Sequence, residues 1–321
     1  MPKKLVVIGL DCLTPQFLYG DGLADMPNFK RLAGGPLSGT LVSIVPPITI
    51  PAWTSMMTSY DPGMLGIYGF RNRKSYAYEE LYTVNATNVR AKTVWNYLSR
   101  HRLRSILLGV PQTYPPKPLA GVLVADFLTP SKDSEYTYPP ELKAEIDRVA
   151  DGDYIIDVKD FRTEDKAALL RQIYVMTERR FKVFRHLLAR EEWDFARMVE
   201  MGPDRIHHAF WRFCDPSHRL YVKRNEHEDV IRNHYRYLDG QIGTVLDSIG
   251  DDASVIVVSD HGAKAMRGGI CINEFFMREG LLALKEYPKS PASLRPNVVD
   301  WGKTRGWGEG GGQRSVVVFD G

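Results

Sequence analysis

Four short apolar runs, each ending at an abrupt change of residue type, constrain this chain more than any other feature. Residues 5–10 stop at Asp11, and residues 253–258 stop at Ser259-Asp260-His261. Residues 104–110 run to Pro111, and residues 194–199, interrupted by Arg197, run to Glu200. Runs of this length read as strands, and the first and last suit strands buried on both faces of a parallel sheet.

Helical periodicity fills the spaces between them. Leu169, Leu170, Ile173, Met176, Phe181, Phe184, Leu187 and Leu188 fall at three- and four-residue steps, with Thr177 filling the one gap. That spacing makes an apolar stripe on a long helix. Ile231, Tyr235, Leu238, Ile242, Val245, Leu246 and Ile249 make a second stripe. Alternating strands and helices predict an α/β fold, a three-layer sandwich with a mostly parallel central sheet, as one domain over residues 1–321. The Pro-rich stretch 112–118 and the segment 129–140 read as surface loops within a cap insertion spanning 112–165.

Bulk properties exclude several function classes. The net charge of +3 is too small to argue for a nucleic-acid polymer as partner. The basic residues are scattered, and the cluster Arg179-Arg180-Phe181-Lys182 reads as a solvated helix face. No run of apolar residues is long enough to span a membrane. The N-terminal apolar run is too short for a secretion signal, so a cytoplasmic location is expected. Cys12, Cys214 and Cys271 are odd in number and far apart, which argues against a disulfide framework and against a cysteine-based zinc cluster.

Ligands in open α/β sheets collect at the carboxyl ends of the strands. Asp11 and Asp260-His261 sit at such ends, and Asp204 follows another by a few residues, so they are expected along one edge. An adjacent Asp260 and His261 offer one hard oxygen and one imidazole nitrogen, a set that zinc and manganese accept. An N-cap aspartate beside a hydrogen-bonded histidine fits the same residues. Asp204 and His208 are four apart, so on a helix they share a face and could hold one ion; an N-cap with surface histidines is the alternative. His207 lies off that face, as an outer-layer or substrate-facing residue. Asp11 at a buried strand end needs a counter-charge or a metal, and Cys12 beside it reads as a small buried filler.

Pro51 suits the first turn of a helix, which puts Thr49 just before the helix N-terminus, where exposed N–H groups attract an anionic phosphate. Metal coordination would lower the pKa of the Thr49 hydroxyl and make it a nucleophile. Simple capping by Thr49 is the plainer alternative. Thr54 and Ser55 are other hydroxyls, but both lie inside the helix.

Taken together, these residues resemble the alkaline phosphatase superfamily, and within it the type I phosphodiesterase/nucleotide pyrophosphatase family. Gly9-Leu10-Asp11 is similar to the family's first ligand-bearing strand end. Thr49-Ile50-Pro51-Ala52-Trp53, leading to Asp61-Pro62-Gly63 and Gly66-Ile67, resembles its nucleophile segment. Asp204 with His208, and Ser259-Asp260-His261-Gly262, resemble its two remaining ligand motifs. The resemblance implies two divalent ions, zinc or alternatively manganese. One would be held by Asp11, Thr49, Asp260 and His261, the other by Asp204, His208 and a later histidine. It implies a small phosphoester substrate, in-line attack by Thr49 and a phospho-threonine intermediate hydrolysed by water.

One departure stands out. No histidine follows His261. Either a further stretch of a longer protein supplies the late ligand, or a substitute such as Glu309 or water does. The strand-like run 316–319 closes the sequence. A non-catalytic relative binding a phosphorylated ligand or partner is therefore the alternative function. A mutase-like phosphotransferase of the same superfamily would use serine, and a sulfatase would need a Cys/Ser-x-Pro-x-Arg motif, which 49–53 lacks. Arg205, Arg212, Lys264 and Arg267 are candidates to meet a substrate phosphate, with a plain surface charge as the alternative for each.

Overall fold

The computed structural model describes residues 4–75, 80–266, 271–287 and 294–308. Glu309, Arg267 and the run 316–319 lie outside these residues. The first half of the chain runs β1 (Lys4–Leu10), α1 (Pro15–Leu18), α2 (Pro27–Ala33), α3 (Thr49–Thr58), α4 (Pro62–Leu65), β2 (Arg71–Arg73), β3 (Leu81–Thr83), α5 (Val94–Arg100), β4 (Ser105–Leu108), β5 (Gly121–Val124) and β6 (Thr137–Tyr138). It continues through α6 (Leu142–Val149), α7 (Lys166–Arg190), β7 (Phe195–Glu200), α8 (Gly202–Cys214), α9 (Val230–Ile249), β8 (Ala253–Val258) and α10 (Ile272–Arg278).

Six strands form the central sheet in the order β6-β5-β4-β7-β1-β8. All pairs are parallel except the antiparallel β5 with β6. The four apolar runs thus become β1, β4, β7 and β8. β1 lies between β7 and β8, and its last five residues are buried. Among the described residues β8 lies at the sheet edge, and it is not buried on both faces as its composition suggests, since Ile256 is half exposed. An edge strand has a neighbour on one side only, which composition cannot reveal.

The layers follow from the alternation of side chains along β7. Glu200 accepts a hydrogen bond from Thr177 of α7. Arg197, an odd number of residues away, lies over the Trp53 ring and reaches Met56, both on α3. Helices α3 and α7 therefore cover opposite faces, and α7, α8 and α9 pack against one another. The two predicted stripes are the buried faces of α7 and α9. Arg180 is the exception to the expected solvated cluster, since it is buried within the α7 stripe. The expected loops at 112–118 and 129–140 also differ in part: Gln112 and Thr113 are buried, and Thr137–Tyr138 is the edge strand β6.

Gly9 is required where it stands. A Cβ there would lie 2.7 Å from the Trp53 ring and 2.9 Å from Val199, so only glycine lets α3 seat its indole against β1. Among the described residues no helix is long and apolar enough to cross a membrane.

Candidate active site

Register brings the carboxyl ends of the strands into line. Gly9 pairs with both Val199 and Val258, so Asp11, Glu200 and the turn 259–261 emerge together. Cross-links fix that edge. The Asp11 N–H donates to the Glu200 carbonyl at 2.9 Å, the Cys12 N–H to Asp260 Oδ1 at 3.1 Å, and the Leu13 N–H to Ser259 Oγ at 2.9 Å.

Thr49 is the first residue of α3, one position later than expected, and Ile48 is the cap without a side-chain capping bond. Its hydroxyl therefore does not cap the helix. It lies 3.1 Å from His261 Nε2. The other ring nitrogen, Nδ1, lies 3.0 Å from the Gly262 carbonyl, which can only accept. That places the proton on Nδ1 and leaves Nε2 as an acceptor, so Thr49 donates to it. Thr54 spends its hydroxyl on the Ile50 carbonyl, and Ser55 Oγ is buried without a hydrogen-bond partner among the described residues.

Four candidate donor atoms converge on this spot. His261 Nε2 is 3.1 Å from Thr49 Oγ1, 3.3 Å from Asp260 Oδ2 and 3.7 Å from Asp11 Oδ1. Bonds of about 2.0 Å to a tetrahedral zinc place neighbouring ligand atoms about 3.3 Å apart. Asp11 Oδ1 and Asp260 Oδ2 are buried and, among the described residues, without a hydrogen-bond partner. Both are oxygens that would be costly to leave bare. These distances share His261 Nε2 as their common end, and with Asp204 beside it the cluster carries the oxygen and imidazole donors that a divalent cation accepts.

A second pair adjoins the first. On α8, Asp204 Oδ1 is 3.4 Å from His208 Nε2, and His208 is half exposed. Donor atoms of Asp11, Asp204 and His261 lie within 4.8 Å of one another, so Asp204 faces both groups. All six expected side chains therefore meet at one sheet edge.

Their electrostatics reflect buried carboxylates facing one another, with cationic partners that outweigh burial at Asp204 only. Burial, then the nearby Asp260 and Asp204 charges, push the Asp11 carboxyl well above the usual range. Burial pushes Asp260 up to about 7. At Asp204 burial acts the same way, but the hydrogen bond and charge of His208, with Arg205, outweigh it and hold the carboxyl low. Divalent cations would supply the missing charge.

Several neighbours differ from expectation. Of the two places expected for His207, the buried ring fits the outer layer, with Nδ1 3.4 Å from Cys12 Sγ and Nε2 3.2 Å from the Tyr235 hydroxyl. Burial lowers its pKa to about 3. Arg205 is not a free phosphate-binding cation, because its guanidinium is already shared between Asp157 and Asp204. Arg212 lies 3.4 Å from Glu164, and Lys264 is exposed. Trp53, absent from the sequence-based set, donates Nε1–H to Asp11 Oδ2 at 2.7 Å. The motif 49–53 contains it, but nothing in the spacing marks the indole as a partner of Asp11.

Comparison with known proteins agrees with this arrangement of elements. The profile of the type I phosphodiesterase / nucleotide pyrophosphatase family matches residues 5–306. Among solved structures, a phosphonoacetate hydrolase from Sinorhizobium meliloti 1021 in complex with phosphonoformate superposes with a TM-score of 0.57 at 15% identity. The alignment covers 91% of this chain and 67% of that one. The same hydrolase with phosphonoacetate gives 0.57 and 15%, over 90% and 66% of the two chains. A putative sulfatase from Bacteroides fragilis gives 0.41 and 16%, over 81% and 62%. The chain thus spans about two thirds of the length of the phosphonoacetate hydrolase. No curated protein matches the sequence. The likeness to the phosphonoacetate hydrolase is one of fold. The chain belongs to the type I phosphodiesterase / nucleotide pyrophosphatase family, a family of hydrolases acting on phosphoester bonds.

Proposed function

We propose that this protein hydrolyses a small phosphoester, of diester or pyrophosphate type, with Thr49 as nucleophile and two divalent ions, zinc or manganese. The observation that carries this reading is the ring of donors about His261 Nε2: Thr49 Oγ1, Asp260 Oδ2 and Asp11 Oδ1 at 3.1, 3.3 and 3.7 Å. Asp11, Thr49, Asp260 and His261 would hold one ion, and Asp204 with His208 the other. When bound, the ions would lower the pKa of the attacking hydroxyl and offset charge on the entering and leaving oxygens.

The chain's own groups do the rest. The Thr49 and Ile50 N–H groups open α3, where a helix's first N–H groups lack an intrahelical acceptor, and they would receive the phosphate. Thr49 Oγ1 attacks phosphorus in line. The hydroxyl proton passes to solvent, the Oγ1–P bond forms as the bond to the leaving oxygen breaks, and the leaving oxygen takes up a proton from solvent, giving a phospho-threonine ester. Water then attacks the same phosphorus, the Oγ1–P bond breaks, and a proton returns to the threonine. Trp53 holds Asp11 by one oxygen throughout, leaving the other directed at the site.

Two assays test this. Metal analysis of the purified protein should find two ions per chain; one or none favours a non-catalytic binding protein. Thr49→Ala should lose hydrolysis of a nitrophenyl phosphodiester by on the order of a thousandfold or more. Hydrolysis at the parental rate by that variant overturns the assignment of Thr49.

A further inference from the structure

Asp204 reaches the site with only one of its oxygens available, and the cause lies outside the site. Rotation of a carboxylate about its last bond is soft, so a ligand aspartate needs an external lock to keep one oxygen on the metal. Here Oδ2 is taken by Arg205 Nη1 at 2.5 Å, which leaves Oδ1 facing His208. Arg205 follows Asp204 directly on α8 and cannot hold itself in place.

Its anchor is Asp157, 48 residues earlier in the chain. Arg205 donates Nε–H to Asp157 Oδ1 at 3.0 Å and Nη2–H to Oδ2 at 2.6 Å. This two-pronged pairing fixes the plane of the guanidinium as well as its position. The plane is further confined by Phe161, 4.8 Å away, and Phe127, 5.5 Å away. Phe161 comes from the same segment as Asp157, and its ring lies 5.4 Å from the His208 ring. The segment itself is pinned from below. Arg180 of α7 donates to the Ile156 carbonyl at 2.7 Å and to the Val199 carbonyl, at the end of β7, at 3.1 Å. Residues 156–161 are thus tied to the strand that leads into α8, and through it to both metal-facing side chains.

We propose that Asp157 is a positioning residue for the Asp204–His208 half of the metal site. It acts through Arg205 to set the free oxygen of Asp204, while Phe161 from the same segment sets the His208 ring. This rests on the two-ion reading above. The competing view is an ion pair that merely fastens a loop to a helix. Such a pair would change stability and leave metal affinity alone, whereas partners that orient metal ligands change affinity.

The test is a zinc titration of the full chain against a chromophoric chelator, for the parent, Asp157→Asn and Arg205→Lys. The first substitution keeps nearly the same shape but cannot accept both prongs, and the second keeps the charge without the fork. In both variants one site should keep parental affinity and the other should weaken about tenfold or more. Hydrolytic activity should return in excess zinc. Parental affinity at both sites in either folded variant overturns the proposal while leaving the two-ion reading intact. A parent that binds fewer than two ions overturns that reading, and this proposal with it.

Discussion

Trp53 and Asp11 are joined across the α3–β1 interface by a 2.7 Å hydrogen bond from the indole Nε1–H to Oδ2. The indole reaches it because Gly9 leaves no side chain in the way, and the Arg197 guanidinium lies 5.2 Å over the same ring. Asp11 is fully buried and this is the only hydrogen bond among the described residues to its side chain. Trp53→Phe retains an aromatic ring in the contact and removes the donor. The expected result is zinc affinity lowered about tenfold or more. Loss of about 1.5–3 kcal/mol of stability in the zinc-loaded protein should accompany it. Chelator competition and denaturant unfolding read the two effects.

Metal removal should act on stability as well as on turnover. Three buried carboxylates, Asp11, Asp204 and Asp260, face one another in the metal-free protein. Zinc at a hundred times its dissociation constant should stabilise the folded chain by about 2.7 kcal/mol per site, seen as a raised melting temperature that a chelator reverses. Asp11→Asn removes a buried carboxyl whose ionisation is opposed by burial and by the neighbouring Asp260 and Asp204 charges. It should leave the metal-free protein as stable as the parent or more so, and abolish most of the rise with zinc.

How much of this is legible in the sequence differs by element. The run at 253–258 marks the bounds of β8 to the residue, yet its edge position depends on which strands lie beside it, and no local pattern encodes that. The stripes of α7 and α9 are readable because burial of one face imposes the helical period directly. Ligand candidates are readable for a similar reason: Asp11, Asp204 and Asp260 follow strand ends, and register does the rest. Partners far apart in the chain are not. Arg205 reads as a free cation because Asp157 is 48 residues away, and Arg180 reads as solvated because its neighbours Arg179 and Lys182 are polar cations on the same stretch. The edge strand β6 is two residues long and carries no periodicity.

His234 supplies a pH signature separate from the metal site. It lies fully buried on α9, edge-on to Tyr174 of α7 and against Gly202 of α8. Neither ring nitrogen has a hydrogen-bond partner among the described residues. Burial lowers its pKa to about 3, against an ordinary value near 6.5. The unfolded chain therefore takes up a proton that the folded chain refuses. The stability this neutral ring contributes is present above pH of about 6.5 and falls by up to about 1.4 kcal/mol per pH unit on acidification toward pH of about 3. His234→Leu should show a shallower loss between pH of about 6 and about 4.5 than the parent in metal-free denaturant melts. Equal slopes would mean that the ring is protonated, or reached by water, in the folded state.

Replacing Thr49 by serine keeps a hydroxyl at the first position of α3 and removes one methyl group. Zinc binding should be within a few-fold of the parent, with partial activity retained. Thr49→Val keeps the shape and removes the oxygen, so activity should vanish while the fold remains. Steady-state kinetics and chelator competition on the pair separate nucleophile from scaffold.

Acid-quenching the zinc-loaded enzyme during turnover of a phosphodiester, followed by peptide mass mapping, tests the central claim most directly. A phosphoester adduct on the peptide containing Thr49, absent from Thr49→Val, is the predicted result. Turnover with no adduct on Thr49, or an adduct on a different residue, would contradict the account.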